Sequence, residues 1–226
     1  MKLIRSIVLT LAAAAAVFAQ GGAMAAVRVI HASPDAPPVN ILVNGTRALE
    51  GIPYKAFTGY NMVPAGTVTL EVQVAPDGPV VLRETFALIG GGNYTFLAVG
   101  RVAGGRNPLQ LIGLGDERDL VAGQAKIRVI HAAPSAPSVD VWATAPYVAL
   151  GGLTPLLTNV PFGAASGFLR VPQGLYHARV APTGTRNVVI DSGPITLLGG
   201  TTNLAIALDP DREGGPFQLL LISSSF

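Results

Sequence analysis

Three histidines, His31, His131 and His177, are the residues of this chain best suited to do chemistry. Imidazole is a common ligand of copper and zinc, and it titrates near neutral pH without perturbation. His31 lies in Val27-Arg28-Val29-Ile30-His31-Ala32-Ser33-Pro34-Asp35-Ala36-Pro37, and one hundred positions later His131 lies in Ile127-Arg128-Val129-Ile130-His131-Ala132-Ala133-Pro134-Ser135-Ala136-Pro137. Each histidine ends an apolar run just before a proline-rich turn. A histidine so placed can tie the turn's backbone through a ring nitrogen, serving groups that proline leaves without strand partners. The metal alternative needs His31, His131 and His177 together, because three imidazoles make one copper site and not one per copy. Asp35 could add a ligand in the first copy, but Ser135 stands in its place in the second. His177, in Tyr176-His177-Ala178-Arg179-Val180, aligns with Glu71 counted from its C-terminal side and with Thr69 counted from its N-terminal side.

Other chemistries find less material. Asp209, Asp211 and Glu213 form one carboxylate cluster, and Asp116, Glu117 and Asp119 another. Oxygen-rich loops can take up calcium, yet neither spacing matches a defined calcium loop, and the Pro and Gly neighbours mark both as solvated turns. Nucleophilic catalysis would require a base beside Ser or Thr. Cysteine is absent, no Gly-x-Ser-x-Gly occurs, and no carboxylate stands at a recognisable spacing from a histidine. Gly90-Gly91-Gly92 and Gly199-Gly200 precede strand-like runs and no helix, so they read as hairpin turns and not as phosphate cradles. Trp142, Tyr147, Phe162 and Phe168 could form an aromatic face for a sugar or carotenoid-like ligand, although aromatics in strands more often fill cores.

The elements that must position these residues come in duplicate. Beyond the histidine segment, Gly51-Ile52-Pro53-Tyr54 through Tyr60 and Val63-Pro64-Ala65-Gly66 return at offset 108 as Asn159-Val160-Pro161-Phe162 through Phe168 and Val171-Pro172-Gln173-Gly174. Val74-Ala75-Pro76-Asp77-Gly78 returns at offset 106, and Pro108-Leu109-Gln110-Leu111 at offset 108. The second copy therefore holds eight extra residues, expected as a lengthened surface loop between Ala143 and Thr158. Each copy must bury its own apolar face, so the recurrence predicts two autonomous units.

Within each copy, short runs rich in Val, Ile, Leu, Thr and aromatics alternate with Gly, Pro, Asn and Asp, and no amphipathic helix stands out. Val68, Leu70, Val72 and Val74 alternate with Thr67, Thr69, Glu71 and Gln73, which puts one face in a core and the other in water. Asn44-Gly45 is a type I′ hairpin turn. Seven or eight strands in under one hundred residues predict an all-β fold of two tandem immunoglobulin-like β-sandwiches, at 26–114 and 125–226, joined by a charged linker at 115–124. A single outer-membrane barrel is the competing architecture, prompted by the N-terminal leader and Phe226; equivalence of Leu219 with the internal Leu111 argues for an ordinary last strand.

Residues 1–25 read as a secretory signal peptide: Lys2 and Arg5, an apolar run from Ser6 to Phe18, and Ala23-Met24-Ala25 as the cleavage site, with Ala19 as the competing one. The apolar run is shorter than the ~20 residues that span a bilayer, and no later segment is long enough. Two of the 15 basic residues and none of the 13 acidic ones lie in this leader, so the remainder carries 13 of each and no net charge. No Lys/Arg stripe suits phosphate, which argues against nucleic acid. With no cysteine in the chain, two exported units of roughly 95 residues are stabilised without disulfides.

The V-R-V-I-H-A-(S/A)-P-x-A-P-x-V opening, the (I/V)-P-(Y/F)…G-(Y/F)…V-P-x-G block and the V-A-P-x-G turn together resemble the bacterial domain of unknown function numbered 4397, in two copies over about 26–112 and 125–224. The resemblance implies a secreted or cell-envelope β-sandwich and assigns no reaction and no residue roles. The expected function is a non-catalytic binding or structural module, without a cofactor, that docks on other envelope or surface proteins in the periplasm, envelope or extracellular space. The alternative is a copper-binding redox protein of superoxide dismutase type using His31, His131 and His177.

Overall fold

The computed structural model describes residues 22–225, so the leader expected at 1–25 lies almost wholly outside the described residues. Strands account for all the regular structure among them. The first repeat contributes β1 (Met24–Ala32), β2 (Val39–Val43), β3 (Thr46–Ile52), β4 (Asn61–Pro64), β5 (Gly66–Val74), β6 (Val80–Leu88), β7 (Asn93–Val99) and β8 (Gln110–Asp116). The second contributes β9 (Gln124–His131), β10 (Val139–Thr144), β11 (Leu157–Val160), β12 (Leu169–Pro172), β13 (Gly174–Pro182), β14 (Ile190–Leu197), β15 (Thr201–Leu208) and β16 (Gln218–Ser224). The contacts divide the chain into two compact units between Asp116 and Glu117.

Each unit consists of two four-stranded sheets. In the first they run β4-β1-β7-β8 and β3-β2-β5-β6; in the second β12-β9-β15-β16 and β11-β10-β13-β14. The orders correspond strand for strand, and in both units the first strand lies parallel to the seventh. The result is a pair of sandwich-like all-β units, and none of the four sheets closes on itself.

The patterning works through side-chain alternation. Val68, Leu70 and Val72 of β5 are buried against Val27 and Val29 of β1 and Val39 and Ile41 of β2, as period-two spacing requires. Glu71 departs from its expected place on the wet face. It is buried because the long side chain of Arg83, directly across the β5–β6 ladder, covers it and donates to its carboxylate at 2.6 Å. Asn44 and Gly45 join β2 to β3 with φ of 50° and 79°, the pair of left-handed residues that a type I′ turn demands.

Sheet register settles two alignments that residue identity left open. Val43 pairs with Leu70, and Ala143 pairs with Ala178, so β13 follows β5 by 108 and His177 stands where Thr69 does. Val29 pairs with Phe96, and Val129 pairs with Ala205, so β15 follows β7 by 109. The surplus of the second repeat falls between β10 and β11. It is more than a surface loop: Leu150 and Leu153 pack with Trp142 and Ala181 in a small core of their own. At the other end, Met24 and Ala25 are strand residues paired with Pro64 and Val63, and Ala25 is buried. Cleavage after Ala25 would remove them from β1, whereas cleavage after Ala19 leaves the strand whole.

Candidate functional site

His31 is the penultimate residue of β1 and His131 the last of β9, just before the chain turns through Pro34-Asp35-Ala36-Pro37 and Pro134-Ser135-Ala136-Pro137. Both rings are 1% exposed. The Ser33 N–H donates to His31 Nδ1 at 3.3 Å, and the Ala133 N–H donates to His131 Nδ1 at 3.3 Å. With Nδ1 an acceptor, Nε2 carries the proton and donates to the carbonyl of Pro37 at 3.2 Å or of Pro137 at 2.9 Å. Each ring spans its turn, one nitrogen at either end. Burial holds both imidazoles below their ordinary value, against the opposing pull of the Pro37 and Pro137 carbonyls. An aromatic edge completes each brace, with Tyr54 and Phe162 both centred 6.2 Å from their histidine. The recurrence of Pro-Tyr/Phe in both copies, at offset 108 against 100 for the histidines, was the sequence signal for this contact.

A carboxylate closes the same turns, from a different place in each copy. Asp35 accepts the N–H groups of Val102 and Ala103 at 2.9 and 3.0 Å. Desolvation pushes its carboxyl up, but the backbone donors and the Arg101 charge outweigh it and hold the group below its usual range. In the second copy Ser135 donates to Asp209 at 2.8 Å, so the carboxylate is supplied by the loop after β15. Asp209 is 1% exposed, which corrects its reading as a member of a solvated turn.

His177 is tied differently. Its Nε2 donates to Asp191 at 2.6 Å, and its Nδ1 accepts the Tyr147 N–H at 3.3 Å. This carboxylate partner is missing from any linear spacing. It is delivered by the β13–β14 ladder, where a register shift lets Asp191 reach back along the strand. Asp191 also accepts the Gly193 N–H at 2.8 Å, and its carboxyl is held below the usual range because His177 and the backbone outweigh its desolvation.

The three sequence-predicted ligands therefore occupy three separate settings: His31 in the first unit, His131 and His177 on different sheets of the second. Each has both ring nitrogens engaged by protein groups. Among the described residues, no three or more His, Cys, Asp or Glu converge in an arrangement that could hold a metal ion. The aromatic residues are also dispersed. Trp142 is buried with its N–H on the Leu153 carbonyl at 3.3 Å, Tyr147 is exposed, Phe162 abuts His131, and Phe168 lies under Arg128 at 4.0 Å.

A buried ion pair escaped the sequence reading. Arg28, on β1, has 2% of its side chain exposed, and Asp116, the last residue of β8, has none. Arg28 Nε donates to Thr95 Oγ1 at 2.8 Å, Thr95 donates in turn to Asp116, and the guanidinium stands 3.6 Å from the same carboxylate. Tyr60 donates to Asp116 at 2.8 Å while its ring lies 4.7 Å from the guanidinium, and burial pushes its phenol up. Asp116 is thus a sheet residue and not part of a solvated hinge. In the second unit Arg128 keeps the aromatic contact, through Phe168, and donates to the Ser166 carbonyl at 3.1 Å. Ser224 stands where Asp116 does. Of the remaining hinge acids, Glu117 and Asp119 both engage the buried ammonium of Lys126, and Asp119 also engages Arg170.

No curated protein matches the chain in sequence. A family model described as Domain of unknown function (DUF4397) matches residues 25–142, from the second residue of β1 through Trp142 of β10. Covering more than half of the chain, and including both braced turns, that match places this protein in the DUF4397 family.

Proposed function

We propose that this chain is an exported cell-envelope protein whose two immunoglobulin-like sandwiches act as a non-catalytic binding or structural module, docking on other envelope components. The observation that carries the reading is how the reactive side chains are used. Both ring nitrogens of His31, His131 and His177 are bound to backbone or carboxylate groups of their own unit, so the imidazoles serve as braces. The docking surface we favour is the outer edge of β6. It pairs with β5 alone and runs in unbroken register from Leu82 to Leu88 without proline. Its counterpart β14 is interrupted by Gly193-Pro194 and a register shift, a device that blunts an edge. An open edge of this length accepts an extended segment of another protein as a further strand.

The test combines fractionation with edge variants. Adjacent residues of a strand point their N–H groups to opposite sides, so of Glu84→Pro and Thr85→Pro one removes an outward donor and the other cuts the β5 ladder. The outward variant should abolish cross-linking to envelope proteins with little change in melting temperature. Recovery of the native protein as a free monomer, or cross-linking that is indifferent to both prolines, overturns the reading. Copper loading of the same preparation reads the redox alternative: stoichiometric copper that disappears in His31→Ala, His131→Ala and His177→Ala would establish it instead.

A further inference from the structure

The two repeats share a fold and differ in how fully they fill it. In the first unit the cross-strand pair Val43–Leu70 is buried at 6% and 2%, and Phe96 of the facing sheet at 1%. Phe96 packs on Phe86 with ring centroids 4.6 Å apart. In the second unit the same register positions hold Ala143, Ala178, Ala205 and Ile195. Part of the lost bulk returns through Leu221, which faces Ala205 where Gly113 faces Phe96. A side chain at Gly113 would strike both phenyl rings, so the large residue has moved to the neighbouring strand. The Ala143–Ala178 pair has no such replacement. Ala143 is exposed, and Ala178, Val129 and Leu157 are half-buried where Leu70, Val29 and Leu49 are buried.

The space left between the sheets is a cavity of about 50 Å³ with a wholly apolar lining. That is several times the ~10–15 Å³ a single water needs, and it offers water no hydrogen-bond partner. The phenol of Tyr176, one of the lining residues, donates to the Pro172 carbonyl at 2.7 Å. Leu156, from the long β10–β11 connection that the first repeat lacks, also lines the space and is 47% exposed.

We propose that the second sandwich is a binding site for the hydrocarbon tail of a small amphiphile, entered on the side of Ala143 and Leu156. The tail takes the room that Val43 and Leu70 fill in the first unit. His131 and Tyr176 belong to the lining but keep their polar atoms on protein partners, so the cavity presents nothing to recognise a head group, and an opening bordered by exposed residues leaves the head in water. The proposal concerns the interior of the second unit, and its readout needs no partner protein, so it stands or falls separately from docking at β6.

The probe is the series butyrate, hexanoate, octanoate and decanoate, titrated into the full-length protein below micellar concentrations by calorimetry. Affinity should rise about fourfold per methylene until the cavity is full, then level off. Restoring the first repeat's residues, with Ala143→Val and Ala178→Leu together, should weaken decanoate at least tenfold without lowering the melting temperature of the second unit. Leu156→Ser, at the rim, should weaken it without refilling the core, which keeps the test informative if the double variant folds poorly. Absence of decanoate binding, affinity independent of chain length, or unchanged affinity in a folded refilled variant overturns the proposal.

Discussion

At the residue scale, the chemistry of this protein is dominated by polar groups placed inside the sandwiches. His31 and His131 are neutral braces, and burial holds their pKa below the ordinary 6.5 of an unfolded chain. Between the two values the unfolded chain binds more protons, so stability rises with pH there. The contribution is fully present above about pH 6.5 and is lost as pH falls through 6.5 toward the folded value. Urea unfolding between pH 7.5 and 5 should show this decline. In His31→Ala the transition of the first unit should fall at every pH, by about 1–3 kcal/mol for the orphaned Ser33 N–H and Pro37 carbonyl, and its slope over that range should flatten. A slope unchanged in His31→Ala and in His131→Ala would refute the assignment. Asp116 allows a sharper test. Asp116→Ala leaves Arg28 buried without its carboxylate and should cost the first unit about 3–5 kcal/mol, whereas Arg28→Met with Asp116→Leu removes both charges and should cost less, its remaining loss coming from the Thr95 and Tyr60 hydroxyls left without their acceptor. Equal losses in both would contradict the buried pair.

At the element scale, turns and edges carry the information. Gly45, at φ 79° with open space where a Cβ would stand, is constrained by backbone conformation alone. Gly45→Ala should therefore lower the stability of the first unit by about 1 kcal/mol, read from its urea midpoint, with no change elsewhere. A loss well above that would mean the β2–β3 register also depends on this position. The turn was legible from Asn44-Gly45 because two left-handed residues in a row leave few residue choices. The connection between β10 and β11 was not. Its length could be counted from the shifted offset, but the packing of Leu150 and Leu153 on Trp142 depends on where β13 places Ala181. The partner of His177 was hidden for the same reason, since a register shift in β13–β14 decides which carboxylate it meets.

At the scale of the whole molecule, two copies of one sandwich have diverged in what they do with their interiors. The first stabilises itself with a full core and a buried ion pair; the second drops the carboxylate and leaves room beside Ala143 and Ala178. The start of the chain follows from the same architecture. Met24 and Ala25 complete β1 against β4, so an exported form should begin at Gln20, after Ala19, and not at Ala26. Mass spectrometry of protein recovered outside the cytoplasm checks this. A form beginning at Ala26 would have to keep β4 paired without those two residues, and it should melt lower than one beginning at Gln20.

The amino-acid order by itself determined the duplication, the all-β character, the hairpin at Asn44-Gly45 and the bracing role open to His31 and His131. All of these rest on local rules: side-chain period, turn conformation, and a ring within reach of the next few peptide groups. Only the tertiary structure decided that Asp116 is buried on Arg28, that Asp209 replaces Asp35, that His177 meets Asp191, and that the second interior is underfilled. Each of these joins residues far apart in the chain, through strand registers that depend on the packing of whole sheets, and a one-residue change of register would send every side chain involved to the opposite face.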